Sequence, residues 1–296
     1  MRELRTTSKL IITVSPTGAF QGKEANPNIP IAPDEIAESV YKSWNEGASI
    51  VHIHAREKGT NKPTSDPEIL REIDQKIREK GCDIIIQHST ANDFIPRLGE
   101  DKRIKAIEMN PEMASLSVSF TRMNTFGKRE SIFITTIPEV EHGAQLMLER
   151  DVKPELEVYS PVVMEDVYGL TRKGLLKKPY WVSFVFGMHR TCQSYMSYSP
   201  RFLMLLVESL PPDSLFTVIG IGSDELPATT LSILLGGHLR VGFEDNTYYS
   251  KGQLAESNEQ MVARAARIGR ELGCEIASPA EAREMLGIKP LVTAKG

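Results

Sequence analysis

The chain has 296 residues, 41% of them hydrophobic and 25% charged, ordinary proportions for a globular protein with a sizeable core. A net charge of −4 without a basic run argues against a nucleic-acid partner, and no apolar stretch approaches the ~20 residues that span a bilayer. The polar N-terminus M-R-E-L-R-T-T-S-K does not read as a signal peptide, and three scattered cysteines, Cys82, Cys192 and Cys274, read as reduced thiols of a cytoplasmic protein, not as a disulfide framework.

Short β-branched runs alternate with longer helical patterns along the chain. Strands are predicted near Leu10–Ser15, Ile50–Ala55, Asp83–His88, Ala114–Val118, Glu155–Tyr159, Trp181–Phe186, Phe216–Ile221 and His238–Phe243. Between the first two lies P-D-E-I-A-E-S-V-Y-K-S-W-N-E-G, with Pro33 suited to a first helical turn and Gly47 to a stop. In P-E-I-L-R-E-I-D-Q-K-I-R-E-K-G, Ile69, Leu70, Ile73 and Ile77 recur at helical spacing before Gly81. A long helix is predicted from Leu254 to Leu272, then a shorter one from Pro279 to Leu286 with Ser278 as its N-cap. Eight strands, most followed by a helical pattern, with no composition break, predict a single (β/α)8 TIM barrel over residues 1–296 with a short C-terminal helical extension. An open doubly wound sheet is the alternative, but no G-x-G-x-x-G follows the first strand. Two insertions, T-R-M-N-T-F-G-K-R-E-S-I-F and G-M-H-R-T-C-Q-S-Y-M-S-Y-S-P, follow the fourth and sixth strands. They fall at the end of the barrel where such folds place their active sites, as lids or substrate walls.

Several residues at strand ends carry chemistry. His52 and His54 in H-I-H, two apart on a strand, point to one face and can share a metal ion. In R-V-G-F-E-D-N, Arg240 to Asn246, alternation places Arg240 and Glu244 inward, so Glu244 offers a third ligand of a His2Glu set. Zinc, manganese and iron all suit that set. In P-E-L-E-V-Y, Glu155, Glu157 and Tyr159 face the interior, where a carboxylate needs a partner and Arg240 is the natural one. Q-H-S-T-A-N after the third strand offers Ser89, Thr90 and Asn92 as donors to a carboxylate or ketone oxygen. A hydrolase built from Ser89 and His88 is disfavoured, because neighbours on a strand face opposite ways. After the seventh strand, I-G-I-G-S-D-E-L-P leads into a helix with Ser223 as a possible cap, either an ordinary glycine turn or a phosphate-binding one.

Taken in order, T-G-A at Thr17–Ala19, P-N-I-P-I, H-I-H, Q-H-S-T, P-E-M-A-S-L, P-E-L-E-V-Y, G-G-H-L-R-V-G-F-E-D-N and S-N at Ser257–Asn258 resemble the β-keto acid cleavage enzymes, the family of 3-keto-5-aminohexanoate cleavage enzyme, over nearly the whole chain. The resemblance implies a zinc-dependent barrel in which a β-keto acid and acetyl-CoA give acetoacetate and a new acyl-CoA by a Claisen/retro-Claisen route. It implies His52, His54 and Glu244 as zinc ligands, Asp245 as the base, and Arg240 and Glu157 as the groups that set its position and charge. Ser89, Asn92 and Ser115 fall at keto-acid contacts. Family members that cleave the amino-substituted substrate carry a glutamate directly after T-G-A; this chain has Phe20 there, an apolar wall that does not suit an ammonium. A β-keto acid without that amino group is therefore the expected substrate. The competing reading is a metal-dependent aldolase or hydrolase that does not use CoA. Barrels of this kind commonly self-associate, so a homo-oligomer, dimer or tetramer, is expected. Asp245 lies one residue beyond the inward-facing Glu244, so it reaches the substrate only if the strand has already ended.

Overall fold

The computed structural model describes residues 9–91, 103–118, 120–126, 129–188 and 195–291. Eight parallel strands form a closed barrel: β1 Ile12–Val14, β2 Ile50–Ile53, β3 Ile85–His88, β4 Met113–Ser117, β5 Lys153–Val158, β6 Tyr180–Phe186, β7 Ser214–Gly220 and β8 His238–Val241. Each pairs with its sequence neighbour, and β8 closes onto β1 through Leu239 beside Ile12 and Val241 beside Val14. This is a (β/α)8 TIM barrel, and its strands coincide with the eight predicted runs, with shifted ends. The first run divides in two: Lys9–Leu10 pairs with Glu275–Ile276 before the chain enters the barrel at Ile12. The last run ends at Val241, short of Phe243.

The helices that connect the strands are α1 Pro33–Asn45, α2 Pro67–Glu79, α3 Arg103–Glu108, α4 Ile137–Glu149, α5 Met164–Arg172, α6 Pro200–Glu208, α7 Glu225–Leu234 and α8 Asn258–Glu271. Local signals set their ends. Asp66 accepts the Glu68 N–H at 2.9 Å to start α2, and Ser257 accepts the Gln260 N–H at 3.2 Å to start α8. That cap corrects the predicted start at Leu254, because Gln253–Leu254 pairs antiparallel with Tyr248–Ser250 and cannot also be helical. Ser223 likewise does not cap α7. A single 3-10 turn, Gly222–Asp224, intervenes, and Asp224 occupies the cap position without a side-chain bond. The insertion after β4 is an antiparallel ribbon of Phe120–Phe126 and Arg129–Thr135.

Alternation divides the strand residues between two environments. Ile12, Val14, Val51, Ile53, Leu239 and Val241 point outward and pack with Ile36, Val40, Leu70, Ile73 and Met261 of the surrounding helices. Ile11, Ile50, Ile85, Met113 and Trp181 point inward and fill the amino-terminal end of the barrel. Beneath them α9, Pro279–Leu286, presses Ala282 and Leu286 against this layer. Ser278 and Glu281 form the capping box that starts α9, with Ser278 N–H to the Glu281 carboxylate at 2.9 Å. One end of the barrel is thus plugged with hydrocarbon, and access to its interior is left to the other. Cys82 and Cys274 are buried free thiols; Cys192 lies outside the described residues. Among the described residues no helix is long and apolar enough to cross a membrane.

Candidate active site at the carboxyl end of the barrel

Arg240, next to last in β8, points its side chain inward, and after Val241 the backbone turns sharply. Asp245 and Asn246 both donate their N–H groups to the Gly242 carbonyl, at 3.0 and 2.9 Å. Gly242 adopts φ +145°, and a Cβ there would sit 2.3 Å from the Ser15 carbonyl oxygen, so only glycine lets the turn lie against β1. Asn258, the first residue of α8, fixes the turn from outside. Its Oδ1 accepts the Phe243 N–H at 2.8 Å, and its Nδ2 donates to the Pro16 carbonyl at 3.2 Å. The Gly222 N–H, which a phosphate would need free, donates to the Asp245 carbonyl at 2.8 Å. Because the strand has ended, both Glu244 and Asp245 line the barrel mouth.

Arg240 grips Asp245 through two parallel bonds, Nε to Oδ2 at 2.8 Å and Nη2 to Oδ1 at 2.6 Å, and lies 3.0 Å from Glu244 Oε1. The expected partnership of Arg240 with the β5 carboxylates takes a different form. Glu157 is instead held by two hydroxyls, Ser117 Oγ at 2.7 Å and Tyr159 OH at 3.0 Å. The turn at Gly242 brings Asp245 back onto Arg240, and that contact takes up Nε and Nη2 of the guanidinium. Glu155 sits one step deeper, fully buried, accepting hydrogen bonds from Gln87 and Ser183.

His52 and His54 face Glu244 with Nε2–O separations of 3.7 and 3.3 Å, and the ligand atoms of the three residues lie within 4.8 Å of one another. Gly18 makes room for this cluster, since a Cβ at that position would lie 2.5 Å from Glu244 Cγ. Burial alone would raise the Glu244 carboxyl, but the Arg240 guanidinium outweighs it and holds it below the usual range. Burial holds His52 neutral far below its ordinary range. An ionised carboxylate beside a neutral imidazole is the protonation pattern a divalent cation requires. Glu244 Oε2 is buried without a hydrogen-bond partner, as are Nδ1 of both histidines. The residues therefore fit a His2Glu metal site with room for further ligands. Burial also pushes Asp245 up to about 6, against the pull of Arg240.

A cavity of about 150 Å³ opens over these groups, lined by His52, His54, Glu157, Arg240, Glu244 and Asp245 on its polar side. Ser89 and Phe20 also line it, whereas Ser115 sits behind the wall, its Oγ accepting the Thr90 N–H at 3.1 Å. Asn92 lies outside the described residues, as do His189 and Arg190 of the loop after β6. Tyr159, Val185 and Ile219, with Met188, Tyr195 and Ile221, form an apolar cluster at the opposite wall. His88 points away from the cavity, 3.0 Å from Asp74 of α2, so it is not paired with Ser89. One contributor carried no sequence signal. Arg56 reaches the carbonyls of Gly18, Gln21 at 2.7 Å and Asn61 at 3.0 Å, and thereby holds the T-G-A segment against Glu244. Its partners are backbone oxygens, which leave no residue pattern to read.

Residues 9–288 match the beta-keto acid cleavage enzyme family. The chain is 40% identical over 282 residues to a 3-keto-5-aminohexanoate cleavage enzyme of Fusobacterium nucleatum, covering 95% of this chain and 98% of the relative. It is 30% identical over 286 residues to a 3-oxoadipate:acetyl-CoA acetyltransferase of Cupriavidus necator, covering 95% and 96% of the two chains. Among solved structures, ObcA bound to oxaloacetate superposes with a TM-score of 0.76 at 18% identity, covering 88% of this chain and 68% of that one, a likeness of fold. The chain belongs to the β-keto acid cleavage enzyme family, as an enzyme of the acyltransferase type.

Proposed function

We propose that this enzyme cleaves a β-keto acid with acetyl-CoA at a zinc site held by His52, His54 and Glu244, giving acetoacetate and a new acyl-CoA. One observation carries the reading. A buried carboxylate, Asp245, stands beside the three potential ligands and is aimed by a bidentate arginine. When bound, zinc would supply Lewis-acid polarisation of the keto-acid oxygens. Asp245 takes the proton from the carbon between ketone and carboxylate, as general base. Arg240 keeps the Asp245 oxygens in one orientation, and Glu157, held by Ser117 and Tyr159, adds negative charge nearby that favours proton uptake. The carbanion attacks the acetyl carbonyl of acetyl-CoA, and the thiolate of CoA passes to the ketone carbon of the keto acid. Cleavage of the bond between that carbon and its α-carbon then releases the new acyl-CoA, and the α-carbon takes back the proton held by Asp245 to give acetoacetate. The protein forms no covalent bond in this sequence.

The substrate in this reading is a β-keto acid without an ammonium group. Supporting it are Phe20 at the cavity rim, 41% exposed, and the apolar wall of Val185, Met188, Ile219 and Ile221. A cation placed there would lose water without gaining a counter-charge. The relatives' differing substrates, an aminated keto acid and a keto diacid by their names, leave this part of the pocket free to vary. Steady-state rates on a panel of keto acids test the reading, with and without acetyl-CoA and after metal removal. Turnover that needs both acetyl-CoA and metal, forms acetoacetate and favours uncharged side chains is expected. A clear preference for the 5-amino substrate overturns the substrate assignment, and turnover without acetyl-CoA overturns the reaction.

A further inference from the structure

Glu155 is the most deeply buried acid of the barrel interior, and the chemistry above does not use it. It stands at 0% exposure on β5, with Gln87 of β3 and Ser183 of β6 both donating to it, one to each carboxylate oxygen. The oxygen that accepts from Gln87 lies 4.0 Å from Nδ1 of His52. His52 and Gln87 are themselves register partners across β2 and β3, so their side chains are neighbours on the inner face. Two complementary atoms there are left over: Nδ1 of His52 and Oε1 of Gln87 are both buried and without a hydrogen-bond partner. An imidazole has two nitrogens and, when neutral, one proton. Whichever nitrogen donates a hydrogen bond keeps that proton, and the other presents its lone pair; Glu244, 3.7 Å from Nε2, is beyond hydrogen-bond reach.

We propose that Glu155, acting with Gln87, is a positioning residue for the metal site: it keeps the His52 proton on Nδ1 and so turns the Nε2 lone pair toward Glu244 and the ion between them. The amide of Gln87 is oriented by its own donation to Glu155. With Nε2 of Gln87 committed to the carboxylate, Oε1 is presented to the histidine. Ser183 holds the other carboxylate oxygen and prevents Glu155 from rotating away. His54, one turn of the pleat nearer the mouth, has no such acid among the acids described near it. Its shorter contact with Glu244, 3.3 Å, must orient it instead. The two histidines are therefore held by different means, one from below and one from the side.

This role rests on the metal reading above, and the tests separate the two. Nitrogen-15 spectra of the metal-free protein, with His52 assigned by its loss in His52→Gln, report which ring nitrogen carries the proton. Protonation at Nδ1 is expected, and protonation at Nε2 overturns the role. Zinc affinity is then measured by chelator competition for the native protein and Glu155→Gln. Outer partners of metal-bound histidines contribute about 10- to 100-fold to affinity, and a loss of that size is expected here. An unchanged affinity in a variant that melts normally overturns the role while leaving the metal site standing. A native protein that takes up no zinc overturns the metal site itself. Should Glu155→Gln not fold, Ser183→Ala takes its place, with a several-fold loss expected and none counting against Glu155.

Discussion

Two layers of the barrel interior, only two residues apart along each strand, have opposite characters. The lower layer holds Ile11, Ile50, Ile85, Met113 and Trp181, and the upper holds Thr13, His52, Gln87, Ser115 and Ser183 on the same five strands. Both layers are almost fully buried, so exposure does not distinguish them; partners do. The lower layer is packed from beneath by α9 and rests mainly on hydrocarbon contacts. The upper layer buries hydroxyls, imidazoles, carboxylates and a guanidinium; many bond one another, as Arg240 does Asp245 and Ser183 does Glu155, while Thr13 Oγ1 and His52 Nδ1 have no hydrogen-bond partner. Stability is thus concentrated at one end of the strands and chemistry at the other, and the boundary is one pleat wide.

The sharpest way to break this division is to remove the proposed base. Asp245→Asn should lower kcat by roughly 10²- to 10⁴-fold, the usual contribution of a positioned general base. Arg240 keeps Glu244 as a counter-charge, so the thermal midpoint should move much less than for a lower-layer truncation. Steady-state kinetics beside a melting curve checks both halves, and an active Asp245→Asn would remove Asp245 from the mechanism. The converse change is Trp181→Ala, which empties the largest side chain of the lower layer. It should cost about 3–5 kcal/mol of unfolding free energy in a denaturant titration. The fraction still folded should turn over within a few-fold of the native rate.

Much of this division is legible in the sequence, because it is written at period two. I-V-H-I and W-V-S-F each carry their outward residues at alternate positions and an apolar-to-polar step on the inward ones. The H-I-H pair and the R-V-G-F-E-D segment follow from the same alternation. What alternation does not give is where a strand stops. Whether Gly242 continues β8 or turns depends on how closely β1 passes it and on Asn258, which is 16 residues further along the chain from Gly242. The pairing of Arg240 with Asp245, ahead of the β5 carboxylates, depends on that turn. Leu254 fits the period of α8 equally well in or out of the helix, and only the Ser257 cap and the short ribbon decide. Long-range backbone contacts of this kind have no local signature.

A smaller effect is expected where the upper layer meets the T-G-A segment. Gly18→Ala brings a methyl group to 2.5 Å from Glu244 Cγ, so Glu244 must shift. Overpacking of this kind costs about 1–3 kcal/mol. Here the cost should fall on the proposed metal site, as a loss of zinc affinity of roughly tenfold or more in chelator competition, with little change in melting. Unchanged affinity would show that Glu244 is not held where it is by the glycine, and would weaken its place among the ligands.

The smallest effect concerns the one histidine of the lower layer. His238 faces inward at the start of β8, accepts the Ile11 N–H through Nδ1 at 3.1 Å, and lies 5.3 Å from the Trp181 ring. Burial pushes its pKa down to about 3, so the folded protein keeps it neutral where an unfolded chain, with a pKa near 6.5, takes up a proton. Its contribution to stability is full above pH 6.5 and is lost progressively as pH falls from 6.5 toward 3, by up to about 1.4 kcal/mol per pH unit. At pH 5 that loss amounts to about 2 kcal/mol. His238→Gln removes the titrating group, so its urea midpoint should decline less steeply between pH 7 and pH 5 than that of the native protein, whatever its starting stability. Equal slopes would mean that the lower layer admits the imidazolium. It would then be less dry than its packing implies, and the contrast with the histidines at the mouth would be one of degree.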